Sequence, residues 1–240
     1  MLIVSAYYDI PSKQPASFYY EHIRRFFKYI RAPVLFFTDQ KNHDKVKHLA
    51  GDNVEFKIQP FEDMAIFKNF PIDFWKHQIT KDPEKYHTWQ VGAVWANKSG
   101  FVKQASEIKK DYEWYMWVDA GCVRTDAWQP HLTTFGKRPN ELSEGVYYQL
   151  LSNLPTEIRF FRHPDTFIAG SHILFHTDYI CKFIDSYENT LRDYALNNQS
   201  VISDQYIMAR MSFYSKFMKP LLFNNAIHTV SEWFFFFSVF

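Results

Sequence analysis

The sequence feature that most constrains the fold is a run of five residues without polar alternation, Trp114–Val118. A strand with one face in water alternates polar and apolar side chains, and this run does not alternate. It therefore predicts a strand that is buried on both faces, as in the middle of a parallel sheet with helices on either side. The run ends at Asp119, which is followed by Ala120 and Gly121.

The amino-terminal part of the chain repeats strand and helix. Residues 2–8 and 34–37 are β-prone runs, and residues 54–58 alternate well enough to be a third strand. A helix is predicted between the first two, because apolar residues there share one face: Tyr19, Ile23, Phe26, Phe27 and Ile30. For a chain of 240 residues, this pattern predicts a single α/β domain with a mostly parallel central sheet flanked by helices.

The remaining elements are predicted in the same way. Residues 89–110 predict one continuous helix, since apolar positions recur there in steps of three and four. Residues 60–88 predict short helices and a loop, because two prolines break any longer helix. Farther along, the pattern predicts three strands and then two helices, at 146–151, 159–162, 167–175 with a bend at the Gly-Ser pair, 178–196, and from Ser203.

Lys98 interrupts the apolar face of the helix predicted at 89–110. A lysine that faces a core is unfavourable unless its ammonium group reaches water or a fixed anion. Two interpretations follow. The side chain extends to solvent, or it contacts a bound anion such as a phosphate.

Three predicted strands are each followed by an aspartate, namely Asp9, Asp39 and Asp119. The carboxyl ends of parallel strands share one edge of the sheet, where open α/β sheets bind their ligands. The three carboxylates are therefore expected to converge, although such an aspartate also serves as a helix cap or turn former. Asp119 is the strongest candidate, because it ends the most apolar strand and Gly121 permits close approach of a ligand.

Composition excludes several classes of function. Lys and Arg number 27 against 26 Asp and Glu, so the chain lacks the excess of positive charge on which general nucleic-acid binding depends. Two cysteines cannot form a disulfide framework, which favours a reducing, cytoplasmic location. With 7 Gly and no glycine-rich phosphate loop, a bound diphosphate is expected to be neutralised by Mg²⁺ or Mn²⁺ and by Lys98.

A combination of motifs extends this interpretation. Lys-x-x-Phe-Val-x-x-Ala at 98–105 precedes Trp-Tyr-Met-Trp-Val-Asp-Ala-Gly at 114–121, and Ile-Ala-Gly at 168–170 precedes Ser-Asp-Gln at 203–205. In these segments the chain resembles the HtrL/YibB (WlaTC-type) family of bacterial proteins, which are regarded as glycosyltransferases with a GT-A fold. The resemblance covers most of residues 2–210, and the stretch around Asp119 is its specific part.

The resemblance implies an enzyme that transfers a hexose or pentose from a nucleotide-diphosphate sugar to a glycan acceptor. Residues 1–121 would form the nucleotide-binding half and residues 122–240 the sugar- and acceptor-binding half. Asp119 would be the metal- or ribose-contacting acid in place of the usual Asp-x-Asp pair. Gly121 stands where the second acid is expected, so a late histidine, His228, is the candidate second metal ligand, and transfer without a metal stays open.

Other residues are expected around Asp119. Asp204 opens a predicted helix, where it either stabilises the helix terminus or acts as general base towards the acceptor hydroxyl. The sugar pocket is expected to be lined by Gly170, Ser171 and His172, although a bulge or turn also explains these residues. The nucleotide is expected to contact the remaining candidates: Tyr8, Asp9, Asp39, Ala120 and Gly121.

Two other classes of function stay open. A metal-dependent hydrolase that cleaves phosphate or glycosidic bonds could use the same aspartates. A non-catalytic carbohydrate-binding protein would account for the aromatic content of 20%, but such modules are commonly β-sandwiches. No stretch approaches the roughly 20 apolar residues of a membrane span. The aromatic residues 233–240 are expected to make a peripheral membrane contact, to contact a subunit, or to pack on their own domain.

Overall fold

The computed structural model describes residues 1–137, 142–222 and 231–240, which are organised around one seven-stranded sheet. The strands lie in the spatial order β3-β2-β1-β4-β6-β5-β7. Strand β6 runs antiparallel to both of its neighbours, and the other pairs are parallel. In chain order the strands are β1 (Leu2–Tyr7), β2 (Val34–Thr38), β3 (Val54–Ile58), β4 (Trp114–Val118), β5 (Val146–Leu150), β6 (Ile168–His176) and β7 (Met218–Leu222).

Helices cover both faces of this sheet. They are α1 (Ala16–Tyr29), α2 (Gln40–Val46), α3 (Ile72–Gln78), α4 (Trp89–Ala96), α5 (Lys98–Ile108), α6 (Gln129–Leu132), α7 (Ile180–Leu196) and α8 (Asp204–Met211). One core layer joins the sheet to α5, α7 and α8, and the other joins it to α1 and the carboxyl-terminal segment. The predicted α/β fold, with a mostly parallel sheet between helices, is confirmed.

Strand β4 is buried on both faces, as its sequence predicts. Tyr115 and Trp117 face one core layer, whereas Trp114, Met116 and Val118 face the other. Because β1, β2 and β4 are mutually parallel neighbours, their carboxyl ends lie along the same edge of the sheet. Within the described ranges, no helix combines the length and the apolar character needed to cross a lipid bilayer.

Residues 89–110 form two helices, so the prediction of one continuous helix is wrong. The chain leaves the helical conformation at Asn97, which has φ −87° and ψ 2°. The Asn97 side chain accepts a hydrogen bond from the backbone N–H of Ile66 at 2.9 Å, so it is anchored to another segment. The apolar spacing continues across this break, and spacing alone therefore could not reveal it. The break makes Lys98 the first residue of α5.

Two other elements differ from prediction. Residues 159–162 form no strand, because their polar groups bond elsewhere; for example, the Phe161 N–H donates to Tyr194 Oη at 2.8 Å. Strand β7 was not predicted, since Pro220 argues against a strand. Strand β7 tolerates Pro220 because it lies at the edge of the sheet, where a strand needs hydrogen-bond donors on one side only.

The carboxyl-terminal aromatic segment packs on its own domain. Phe235, Phe236 and Phe237 are all buried in the core layer that also contains α1. The ring of Phe237 lies 4.8 Å from that of Phe135, measured between centroids. The expected contact with a membrane surface or a second subunit therefore has no support from this segment.

Candidate active site

A cavity of about 350 Å³ opens at the edge of the sheet where β1 and β4 end. Its walls come from segments distant in sequence: the end of β1 and the start of α1, helices α4 and α5, the residues after β4, the middle of β6, and the start of α8. Trp233 and Phe234 complete the wall. This is the edge at which ligands bind in open α/β sheets.

The Lys98 ammonium group lies in the cavity wall and contacts two carboxylates. Its Nζ is 2.8 Å from Oδ2 of Asp204 and 3.3 Å from Oδ1 of Asp119. It also donates a hydrogen bond of 2.8 Å to the carbonyl oxygen of Gly170. Three protein oxygens therefore lie within 3.3 Å of the ammonium nitrogen. We call this group of four residues the lysine–aspartate cluster.

Burial and charge act against each other within this cluster. Burial alone would lower the pKa of Lys98, but Asp119 and Asp204 outweigh it and raise that pKa. Burial raises the pKa of Asp204, and the adjacent Lys98 only partly offsets this rise. Lys98 therefore stays protonated, while the Asp204 carboxylate binds a proton more readily than an ordinary aspartate does.

The Asp204 carboxylate fits against a glycine in a bulge of β6. The register between β5 and β6 shifts at Tyr148/Gln149, which leaves residues 170–172 outside the regular pairing. A Cβ atom on Gly170 would lie 2.9 Å from Oδ2 and 3.0 Å from Oδ1 of Asp204. Only glycine allows this approach without displacing the carboxylate. The bend predicted at the Gly-Ser pair is therefore the bulge that makes room for Asp204.

Asp119 presents its carboxylate to the cavity. Its Oδ1 accepts a hydrogen bond of 2.7 Å from Trp117 Nε1 and also contacts Lys98. Its backbone N–H donates to the carbonyl oxygen of Ser171 at 2.9 Å, which joins the end of β4 to the bulge. The side chain is 34% exposed and lines the cavity, so a ligand can reach its carboxylate.

The described residues around Asp119 do not form the ligand set of a divalent cation. Such an ion needs several oxygen or nitrogen ligands, and Oδ1 of Asp119 is already neutralised by Lys98. Gly121 supplies no second acid, and His228 lies outside the described residues. The predicted site for Mn²⁺ or Mg²⁺ at Asp119 and His228 therefore stays a prediction.

Most of the predicted nucleotide and sugar contacts line the cavity, namely Tyr8, Asp9, Ala120, Gly121, Gly170 and Ser171. Asp39 does not, because its carboxylate caps α2 by accepting from the Asn42 N–H at 2.7 Å. His172 is fully buried behind the cavity wall among phenylalanine rings. Burial, with a smaller effect of Lys98, lowers the pKa of His172 to about 3, so its imidazole is neutral.

Comparison with solved structures finds many similar chains, including the following two. One is a glycosyltransferase involved in glycosylation of the major capsid of PBCV-1, with 10% identity, a TM-score of 0.41, and coverage of 93% of this chain and 80% of that chain. The other is 4-diphosphocytidyl-2C-methyl-D-erythritol synthase from Anaerococcus prevotii, with 7% identity, a TM-score of 0.37, and coverage of 94% and 88%. No family model and no curated protein matches the sequence.

Both TM-scores are below 0.5, so neither likeness identifies the chemistry of this chain. The resemblance to the HtrL/YibB family stays a prediction. The proposed function rests instead on the strand order of the sheet and on the cavity of this molecule.

Arg124, which was not predicted as a site residue, lines the cavity three residues after Gly121. Its guanidinium group lies 5.7 Å from the ring centroids of both Phe18 and Phe234. In the part of the chain that the structure describes, no acidic side chain forms an ion pair with it. The sequence signal was a single arginine just after the Asp-Ala-Gly stretch, which is too common a feature to stand out.

The first turn of α1 was missed as well. Ala16, its first residue, lines the cavity beside Ser12. The helix has no acidic residue in its first turn and no side-chain cap hydrogen bond. Its amino-terminal N–H groups and the positive end of its dipole are therefore suited to an anion in the cavity.

Proposed function

We propose that this protein is a glycosyltransferase that moves a sugar from a nucleotide-diphosphate sugar to a glycan acceptor. The observation that carries the proposal is the lysine–aspartate cluster in the wall of a cavity at the ligand-binding edge of a mostly parallel sheet. It supplies a buried proton acceptor and a partly exposed carboxylate, side by side, in a cavity large enough for a ligand.

We propose that the donor diphosphate lies between Arg124 and the start of α1. Arg124 is the better candidate for this contact than Lys98, whose ammonium group already has three protein oxygens within 3.3 Å. A guanidinium group suits phosphate oxygens because it offers paired N–H donors in one plane. In this arrangement Lys98 holds the two aspartates in place and does not contact the phosphates.

The nucleoside would lie along the end of β1, against Tyr8 and Asp9. Asp119 would accept a hydrogen bond from a ribose or sugar hydroxyl through its carboxylate. The proposal requires no divalent cation at Asp119. The predicted division of labour, with residues 1–121 towards the nucleotide and 122–240 towards the sugar and the acceptor, is part of the proposal.

Asp204 would act as general base in an inverting transfer. Its carboxylate takes the proton of the acceptor hydroxyl, the acceptor oxygen bonds to the anomeric carbon, and the bond to the nucleotide diphosphate breaks. The raised pKa of Asp204 favours this proton uptake. Lys98 remains balanced by Asp119 after Asp204 becomes neutral, so the cluster never holds an unpaired cation.

The first experiment is a thermal-shift panel of UDP, GDP, CDP and dTDP sugars, each with and without Mn²⁺. A ligand of the native state raises the apparent melting temperature, so one nucleotide series should stand out. Arg124→Gln should reduce that shift, because it removes the guanidinium group. Turnover is then measured with and without saccharide acceptors. Release of the nucleotide that never depends on an acceptor would favour the hydrolase alternative.

Asp204→Asn is the sharpest test of the catalytic assignment. The variant keeps the shape of the side chain and removes its ability to accept a proton, so kcat should fall by about 10²–10⁴-fold. The shift in melting temperature produced by the donor should remain. Wild-type turnover in this variant, on a protein that still binds the donor, would contradict the role of Asp204.

A further inference from the structure

A second group of polar side chains lies outside the cavity, in the loop between α3 and α4. Oxygen and nitrogen atoms of Asp82, Glu84 and His87 all lie within 4.8 Å of one another. None of these three residues lines the cavity. They play no part in the proposed transfer, so their clustering needs a separate explanation.

The spacing of these atoms suits a bound metal ion. His87 Nδ1 is 3.0 Å from Oδ2 of Asp82 and 3.5 Å from Oε2 of Glu84. Two ligands that hold Zn²⁺ tetrahedrally at its usual bond lengths lie roughly 3.3 Å apart. The two distances from His87 Nδ1 are therefore close to the separation that one such ion requires, and all three residues offer ligand atoms within 4.8 Å of one another.

The basic side chains that contact this group are histidines, His87 at both carboxylates and His163 at Glu84. The Asp82 side chain is 5% exposed and that of Glu84 is 19% exposed. Across the described ranges, neither carboxylate forms an ion pair with a lysine or an arginine. Two adjacent, largely buried carboxylates are unfavourable without a cation. His87 Nδ1 is a single atom that contacts both carboxylates.

A second layer of contacts directs the carboxylate of Glu84. Its Oε1 accepts a hydrogen bond of 2.8 Å from Tyr86 Oη, and His163 Nδ1 lies 3.4 Å from the same oxygen. The contact with His87 falls on the other oxygen, Oε2. Groups that hold a ligating carboxylate from behind in this way are typical of metal sites.

We propose that Asp82, Glu84 and His87 bind one Zn²⁺ ion, with Tyr86 and His163 orienting Glu84. A mixed set of imidazole and carboxylate ligands suits Zn²⁺, whereas Mg²⁺ prefers oxygen ligands alone in an octahedron. The ion would take Oδ2, Oε2 and Nδ1, and water would complete its coordination.

The ion would fix a loop that supports the cavity wall. The His87 ring lies 5.1 Å from the ring of Trp95, which lines the cavity. The next residue, Thr88, donates from Oγ1 to the carbonyl oxygen of Pro11 at 2.6 Å, in the segment between β1 and α1. The proposed role of the ion is therefore structural, at the outer side of the substrate cavity.

The test is titration of the full chain, stripped with EDTA and dialysed, with ZnCl₂ and separately with MgCl₂. We expect one Zn²⁺ per chain by calorimetry and by elemental analysis, with a higher melting temperature in Zn²⁺ and no response to Mg²⁺. Asp82→Asn and His87→Gln should each weaken Zn²⁺ binding by at least 100-fold. His163→Gln should weaken it by about 10–100-fold, as expected for a residue that orients a ligand.

The matched controls lie on the neighbouring helix. Asp73 and His77 are exposed on α3 and belong to no such cluster, so Asp73→Asn and His77→Gln should bind Zn²⁺ like the wild type. In EDTA, Asp82→Asn and His87→Gln should melt close to the wild type, which separates loss of metal from loss of fold.

Three results would overturn the proposal. The wild-type chain binds no Zn²⁺, or His87→Gln binds it unchanged, or binding is lost in His176→Gln instead. The last result would place the ion at a second cluster formed by Glu144, His176 and Asp178.

Discussion

At the scale of single residues, the interaction that organises the candidate site is the contact of Lys98 with Asp119 and Asp204. Because Lys98 interrupts an apolar helix face, the sequence left two interpretations, extension of its side chain to solvent or contact with a bound anion such as a phosphate. It could not indicate that the anions are two aspartates of this chain, since positions 119 and 204 come together only in the folded sheet.

Lys98→Met should destabilise the protein and abolish turnover. The change leaves the buried Asp204 carboxylate without its cation, and breaking a buried ion pair in this way costs about 3–5 kcal/mol. Urea unfolding measures this loss. Lys103→Met, on the exposed side of the same helix, is the control and should change stability by less than about 0.5 kcal/mol. Equal stabilities of the two variants would contradict the role of Lys98.

The pH dependence of kcat should reveal Asp204. A general base must be ionised, so kcat decreases as the pH falls through its pKa. Burial raises that pKa above the ordinary value of 3.8, with Lys98 partly opposing the rise, so the decrease should begin at a higher pH than for an exposed aspartate. The measurement is kcat at saturating donor and acceptor from neutral to acid pH. A flat profile down to the ordinary range of aspartate would speak against this assignment.

At the scale of elements, the sequence predicted most helices and strands, but not where a helix is interrupted or which strand lies at the sheet edge. Strands β1 to β5 and helices α1, α7 and α8 correspond closely to predicted segments, because each carries a recognisable pattern of apolar residues. The break at Asn97 and the strand containing Pro220 were not predictable, since a side-chain bond to Ile66 and a place at the sheet edge decide them. Both are properties of the assembled fold.

The bulge in β6 gives a prediction at this scale. Gly170→Ala would place a methyl group 2.9 Å from Asp204 Oδ2, so the carboxylate or the bulge must move. We expect at least a tenfold loss of kcat and a loss of stability of about 1–3 kcal/mol. Gly121→Ala is the matched control for stability, because its new methyl group would meet Tyr19 at an ordinary 3.4 Å. Full activity in Gly170→Ala would show that this fit is unnecessary.

At the scale of the whole molecule, the carboxyl-terminal segment closes one core layer and also forms part of the cavity wall. Ser171 Oγ donates to the carbonyl oxygen of Trp233 at 2.9 Å, which ties the segment to the bulge of β6. The sequence left three alternatives for this aromatic segment, which were contact with a membrane, contact with a subunit, and packing on its own domain. The burial of Phe235, Phe236 and Phe237 indicates that they are core residues.

Phe236→Ala should therefore destabilise the whole domain. Phe236 is fully buried, and removing such a ring costs about 3–5 kcal/mol. Val239→Ala serves as comparison, because Val239 is 43% exposed and should change stability by no more than about 0.5 kcal/mol. Thermal or urea unfolding distinguishes the two. An unchanged stability of Phe236→Ala would mean that the segment does not hold its packed position in solution.

Because of the lysine–aspartate cluster, catalytic activity should also indicate whether the fold is fully assembled. Its four members come from α5, the end of β4, the bulge of β6 and the start of α8, so they meet only after most of the chain has docked. A partly folded form, even one with native helices, would show no turnover in an activity assay. During refolding from urea, the return of turnover should therefore lag behind the return of helical circular dichroism and coincide with the slowest of these docking events.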